Sequence, residues 1–196
     1  MLEGIKMNTT IILAHPWHGS YNKAIVGTII KTLEDKKESY QIIDLNKDNF
    51  NPILTQNELA LYSKGEHLDP LVSKYQKILL ETKRLIIIFP IWWGSTPAVL
   101  KGFFDKVLLK GFAYQYIDNK MVGMLKNIEK CFVITTSETP NEYLKNYFGN
   151  IIENQVIKFT LDMIGVQNSM WINKDLVVGG GEKSRHEFLD KITQLF

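Results

Sequence analysis

Apolar and polar positions along this chain fall into two alternating kinds of segment. Short runs rich in β-branched residues stand at residues 9–14, Tyr40–Asp44, 85–89, Lys130–Thr136 and 169–172, and between them run stretches with a helical repeat. The run Leu85-Ile86-Ile87-Ile88-Phe89 has no polar interruption. Such a run suits a strand covered on both faces, as in the middle of a parallel sheet. Residues 21–33 put Ala24, Ile25, Thr28, Ile29 and Thr32 on one helical face, with Ser20 placed to cap. Residues 70–82 turn Leu71, Tyr75, Ile78 and Leu79 inward, and 97–108 carry Val99, Leu100, Phe103, Phe104 and Val107 on their apolar side. Residues 142–149 and 150–164 read as helical. So do 184–195, where Ser184 and Glu187 have capping-box spacing and follow a flexible break at Gly179-Gly180-Gly181. The alternation predicts a doubly wound α/β sheet with five parallel strands and right-handed crossovers.

Two stretches do not fit that rhythm. Residues 45–69 hold Asn51-Pro52 and a short predicted helix at 56–63, and they exceed an ordinary connection in length. Residues 111–116 alternate in strand fashion but stand isolated, which predicts a protruding loop or hairpin. Residues 1–8 read as a short leader, with 9–196 as a single domain.

Composition narrows the classes. Apolar content of 45% and charged content of 22% are ordinary for a globular protein. A net charge of +2, with lysines spread along the chain, argues against a nucleic-acid partner. The single cysteine, Cys131, sits in an apolar run, so an intrachain disulfide and a cysteine zinc cluster are excluded and an inert buried thiol is expected. No apolar stretch is long enough to span a membrane and no signal-peptide core is present, so a cytoplasmic protein without membrane insertion is expected.

Candidate chemistry gathers where strands end. In open α/β sheets, ligands bind at the carboxyl edge. After the first strand, His15, Ser20 and Asn22 stand on a loop leading into a helix N-terminus, which favours an anion. After the third, Pro90, Ile91, Trp92, Trp93 and Gly94 follow the buried run, and two adjacent tryptophans on one loop cannot both point inward. The fourth ends in the hydroxyls of Thr135, Thr136 and Ser137. Dinucleotide-binding, P-loop and nucleophile-elbow motifs are absent. His15, His18, His67 and His186 lack metal-site spacing, so no metal is expected. A flat aromatic ligand with a phosphate tail suits these three loops, and a flavin is such a ligand.

The residues also carry a family resemblance. The A-H-P-x-x-x-S-x-N run at 14–22, F-P-x-W-W-x-x-x-P-A-x-L-K-G at 89–102, G-F-A-Y at 111–114, T-T-x-x-x-x-x-x-Y at 135–143 and the segment 62–70 resemble the flavodoxin-like NAD(P)H:quinone oxidoreductases, mammalian and bacterial. The resemblance implies strand order 2-1-3-4-5 and a cytoplasmic homodimer. It also implies FMN or FAD as cofactor, NAD(P)H as reductant and a quinone-like acceptor, with two-electron hydride transfer by a ping-pong mechanism. It assigns His15, Ser20, Tyr21 and Asn22 to the flavin phosphates. Pro90, Ile91, Trp92 and Trp93 would hold its ring, and Thr135 and Thr136 its pyrimidine edge or ribityl chain. Tyr143 would stand at the reactive face, and Tyr114 and Tyr116 would wall the substrate pocket across the dimer.

The chain departs from the family at two places. Ser137 and Glu138 replace two glycines, which predicts a narrowed pocket and an added negative charge beside the cofactor. Gly149 replaces the proton-relaying histidine of the mammalian enzyme, leaving that task to water or Tyr143. Three readings stay open: the enzyme, an ancillary subunit of a potassium-efflux transporter, and a flavin-free α/β domain.

Overall fold

The computed structural model describes residues 8–196. The expected leader lies outside the described residues except for Asn8, whose amide donates to the Glu81 carbonyl at 2.9 Å. In chain order the elements are β1 (Thr9–Leu13), α1 (Tyr21–Asp35), β2 (Tyr40–Asp44), α2 (Gln56–Tyr62), α3 (Pro70–Glu81), β3 (Arg84–Pro90) and α4 (Ala98–Val107). There follow β4 (Tyr114–Ile117), β5 (Lys120–Gly123), β6 (Lys130–Thr136), α5 (Asn141–Asn146), a π-helix (Ile152–Asp162), β7 (Ser169–Lys174) and α6 (Gly181–Thr193).

Five parallel strands form the sheet in the order β2-β1-β3-β6-β7. This is the flavodoxin-like order 2-1-3-4-5. β3 lies at its centre with all seven residues buried. Because side chains alternate along a strand, Leu85, Ile87 and Phe89 join the core beneath α3, α4 and the π-helix, while Ile86 and Ile88 join the core beneath α1 and α6. Each fully buried isoleucine contributes roughly 2 kcal/mol. β3 continues through Pro90, and the Ile91 N–H still donates to the Thr136 carbonyl at 2.8 Å. Proline's missing N–H therefore does not end the ladder on the β6 side.

Of three local expectations, two hold in outline and one fails. Residues 111–123 form the antiparallel β4/β5 hairpin around Asp118 and Asn119, both with positive φ, as a tight hairpin turn requires. The two helices expected at 142–149 and 150–164 do part at Gly149 and Asn150, with φ of 72° and 49°, and the first ends at Asn146. Beyond the break the backbone winds as a π-helix, and its buried pairs Ile152/Ile157 and Val156/Leu161 repeat at the wider five-residue spacing. The capping box at Ser184 does not form. α6 begins at Gly181 with Gly180 as N-cap, and the glycine run makes the turn that starts it, through Gly180 N–H to the Leu176 carbonyl at 2.7 Å.

The long connection from β2 to α3 is pinned by buried charge. Lys106 of α4 is 3% exposed and lies 3.0 Å from Glu58, 3.2 Å from Asp69 and 3.0 Å from the Asn51 carbonyl. Gly102 makes this docking possible, because a Cβ there would come within 2.3 Å of the Pro52 carbonyl oxygen. Burial alone would raise the Glu58 carboxyl. Hydrogen bonds from Thr55 and the charge of Lys106 outweigh it and hold the group below its ordinary value. Its contribution to stability is therefore complete above the ordinary carboxylate range and is lost as pH falls through the lower folded value. Lys106→Met would leave two carboxylates without their cation, at a cost of about 3 kcal/mol at pH 7, read as a lower urea midpoint. The difference between variant and wild type is expected to shrink as pH falls through the lowered folded value of Glu58; a difference independent of pH would refute the ion cluster.

Candidate active site

The β1–α1 loop is shaped by its own side chains. Ser20 caps α1 by accepting from the Lys23 N–H at 3.2 Å, so its hydroxyl is tied to the first turn. The Trp17 N–H donates to His15 Nδ1 at 3.1 Å, so the neutral ring carries its proton on Nε2. Burial lowers the His15 pKa and keeps that neutral form at pH 7. The ring meets Trp92 edge-on, with centroids 5.8 Å apart. Asn22 is 3% exposed and donates to Thr136 Oγ1 at 3.0 Å, but its Oδ1 has no partner. The Thr136 hydroxyl can donate or accept, so with the amide turned either way one atom of Asn22 stays unpaired.

The turn after β3 exposes the indoles. Trp92 and Ser95 exchange both backbone hydrogen bonds at 3.0 Å, closing a two-residue turn in which Trp93 and Gly94 have φ of 49° and 69°. A left-handed backbone is uncommon for a bulky residue and marks a site where surroundings fix the chain. Trp93 is fully exposed and Trp92 half exposed. The turn walls two cavities. Ile91, Trp93 and Gly94 line one of about 630 Å³ with Thr139, Leu144, Phe148 and Ile151. Pro90 and Trp92 line the other, of about 360 Å³, together with His15, Ser20, Tyr21, Asn22 and Thr136.

The second cavity also takes in Trp17, Val177, Val178 and Arg185, which the sequence reading passed over. Arg185 lies on α6, far along the chain. Its carbonyl accepts from the Tyr21 hydroxyl at 2.6 Å, and burial pushes that phenol up to about 12. The only sequence-level signal was a cation early in a last helix that must return beside α1.

The neighbouring hydroxyls divide. Thr136 faces the cavity, whereas strand alternation sends Thr135 to the other side of the sheet. There it is wholly buried, donates to Asn173 at 2.7 Å and accepts from the Trp171 indole at 2.8 Å. Ser137 is buried, with its hydroxyl donating to the Thr139 carbonyl at 2.7 Å. Glu138 turns outward to the backbone of Val178 and Gly179. Tyr143 is half exposed and stacks on Tyr147 at 5.2 Å. Tyr114 and Tyr116 meet edge-on at 6.0 Å on the hairpin, and neither lines the cavities beside the Trp92–Ser95 turn. Cys131 is completely buried, which raises its pKa. Among the described residues no cluster of three or more metal-ligating side chains occurs, and no helix is long and apolar enough to cross a membrane.

The residues fit a flavin phosphate and ring. A buried amide with an unpaired atom lies at a helix start, a neutral imidazole N–H lines the same cavity, and an exposed indole borders an apolar one. Comparison with known proteins places the chain among described relatives. A family model described as "Flavodoxin-like fold" matches residues 7–195. An NAD(P)H oxidoreductase of Haemophilus influenzae is 30% identical over 163 residues, which are 83% of this chain and 80% of that protein. The rat NAD(P)H dehydrogenase [quinone] 1 is 31% identical over 68% of this chain, which spans 54% of that longer protein. The NAD(P)H:quinone oxidoreductase structure from Methanothermobacter marburgensis superposes with a TM-score of 0.87 at 26% identity, covering 96% of each chain. The chain belongs to the flavodoxin-like fold family of NAD(P)H:quinone oxidoreductases.

Proposed function

We propose that the protein is an FMN-dependent oxidoreductase that takes electrons from NAD(P)H and passes them to a quinone-like or azo acceptor. The observation that carries this reading is the Trp92–Ser95 turn, which walls an apolar cavity on one side and an anion-suited cavity on the other. Trp93 and Ile91 would hold the ring, with Pro90 and Trp92 at its edge. Asn22, Thr136 and the His15 Nε2–H would hold the ribityl and phosphate groups, assisted by the N-terminus of α1. When bound, a flavin supplies two-electron hydride chemistry between a reduced nicotinamide and an acceptor. FMN is preferred over FAD because no residue of the 45–69 connection, the segment available to cover an adenine, lines either cavity.

The chain's own part is placement and proton supply. An apolar wall would exclude water and hold each substrate in turn at reacting distance. If the chain covers one face of the bound ring, the two substrates would take turns at the other, which would give ping-pong kinetics. Tyr143, half exposed and next in the chain to Leu144 of the apolar cavity, would be the proton donor to the acceptor, since Gly149 brings no side chain. Tyr114 and Tyr116 stand apart from their own cleft, which supports a homodimer in which the β4/β5 hairpin of one protomer closes the cleft of its partner.

Protein loaded with FMN is expected to lose its visible absorbance on adding NADH or NADPH without oxygen, and to regain it on adding a simple quinone. Absence of bleaching with either nucleotide would end the enzymatic reading. Trp93→Ala should weaken FMN binding about tenfold, from lost stacking and burial, as measured by flavin fluorescence. Tyr143→Phe should lower kcat about tenfold or more, in the range of a lost general acid, with little change in KM; an unchanged kcat would assign the proton to water.

A further inference from the structure

The β7–α6 connection walls the phosphate end of the cleft through Val177 and Val178. One side chain from another strand end grips its backbone. Glu138, two residues past β6, accepts from the Val178 N–H through Oε1 at 2.5 Å and from the Gly179 N–H through Oε2 at 3.2 Å. Two successive backbone N–H groups converging on one carboxylate form an anion nest, and such charge-assisted bonds are stronger than neutral ones. The neighbouring residue extends the chain of contacts. Val177 donates its N–H to the Ser137 carbonyl at 3.1 Å, and its own carbonyl accepts from Arg185 Nη1 at 3.0 Å. Arg185 and Val177 line the same cavity as Ser20, Tyr21 and Asn22 at the start of α1.

We infer that Glu138 is a positioning residue for the phosphate end of the cleft. It latches the β7–α6 connection so that the Val177 carbonyl holds the Arg185 guanidinium at the mouth of α1. The residue does not line the cavity and acts through Arg185. The sequence expects Ser137 and Glu138 to narrow the pocket and add a negative charge beside the cofactor; the structure turns the Glu138 carboxylate onto the Val178 and Gly179 N–H groups instead. The inference rests on the flavin reading above and deepens it.

The test titrates flavin-free protein with FMN and, separately, with riboflavin, which lacks the phosphate. Wild type is compared with Glu138→Gln and Glu138→Ala, and amide hydrogen exchange is read at Val178 and Gly179 in the flavin-free state. Glu138→Ala is expected to weaken FMN about tenfold or more and to leave riboflavin within about twofold, with Glu138→Gln between because it keeps one acceptor oxygen. The two amides should exchange about tenfold faster in the alanine variant, while those of β3 are unchanged. FMN binding as tight as wild type or tighter in both variants would make Glu138 merely an adverse charge and overturn the inference. Equal losses for FMN and riboflavin, or unchanged exchange at the two amides, would overturn it as well. A wild-type protein that binds neither compound would bring down the flavin reading and the latch's role together, a result distinct from the other three.

Discussion

The structure depends on the two-sided burial of β3. Its seven residues are enclosed by both cores and by hydrogen bonding to β1 on one side and β6 on the other. A strand held this way cannot shift along its axis without moving alternate side chains into the wrong core. Its end is therefore a fixed point on the carboxyl edge. The Trp92–Ser95 turn grows directly from it. A left-handed backbone at Trp93 and an indole in open solvent would be costly at a loose loop tip, but they persist where the strand behind them is immovable and the turn is closed by two reciprocal bonds.

The other cleft loops are braced to the same edge by polar contacts, each crossing between elements. Asn22 of α1 reaches Thr136 at the end of β6. Asn173 of β7 reaches Thr135 and Ser137, and also Asn141 at the start of α5. The loops that meet at the cleft are thus tied to one another as well as to their own strands. Sites supported by such a surrounding shell hold geometry better than sites borne on free loops.

Much of this was legible in the chain because it followed from local patterns. Unbroken apolar runs identified the buried strands, and their alternation with helical stretches identified the architecture. The exposed tryptophan pair was readable because two adjacent bulky rings cannot share one interior. The parts that were missed depend on what meets in space. Arg185 gives no motif, since its place beside Tyr21 follows from α6 packing against α1. Thr135 and Thr136 look equivalent in sequence, yet strand alternation commits one to Trp171 and Asn173 and leaves the other at the cavity. The wide pitch of 152–162 was hidden because buried residues at five-residue spacing resemble an imperfect helical stripe. Ser184 and Glu187 had the right spacing for a cap, but three glycines had already turned the chain before them.

The enclosure of Cys131 has a further meaning if, as proposed, the acceptors are quinones. Such compounds are electrophiles that add readily to thiolates. The chain's one sulfhydryl sits on the second innermost strand, without exposure and with its ionisation suppressed by its surroundings. A polypeptide built this way offers arylating compounds no thiol to modify, so its resistance to acceptors of the proposed class is written into where the sheet puts its sulfur.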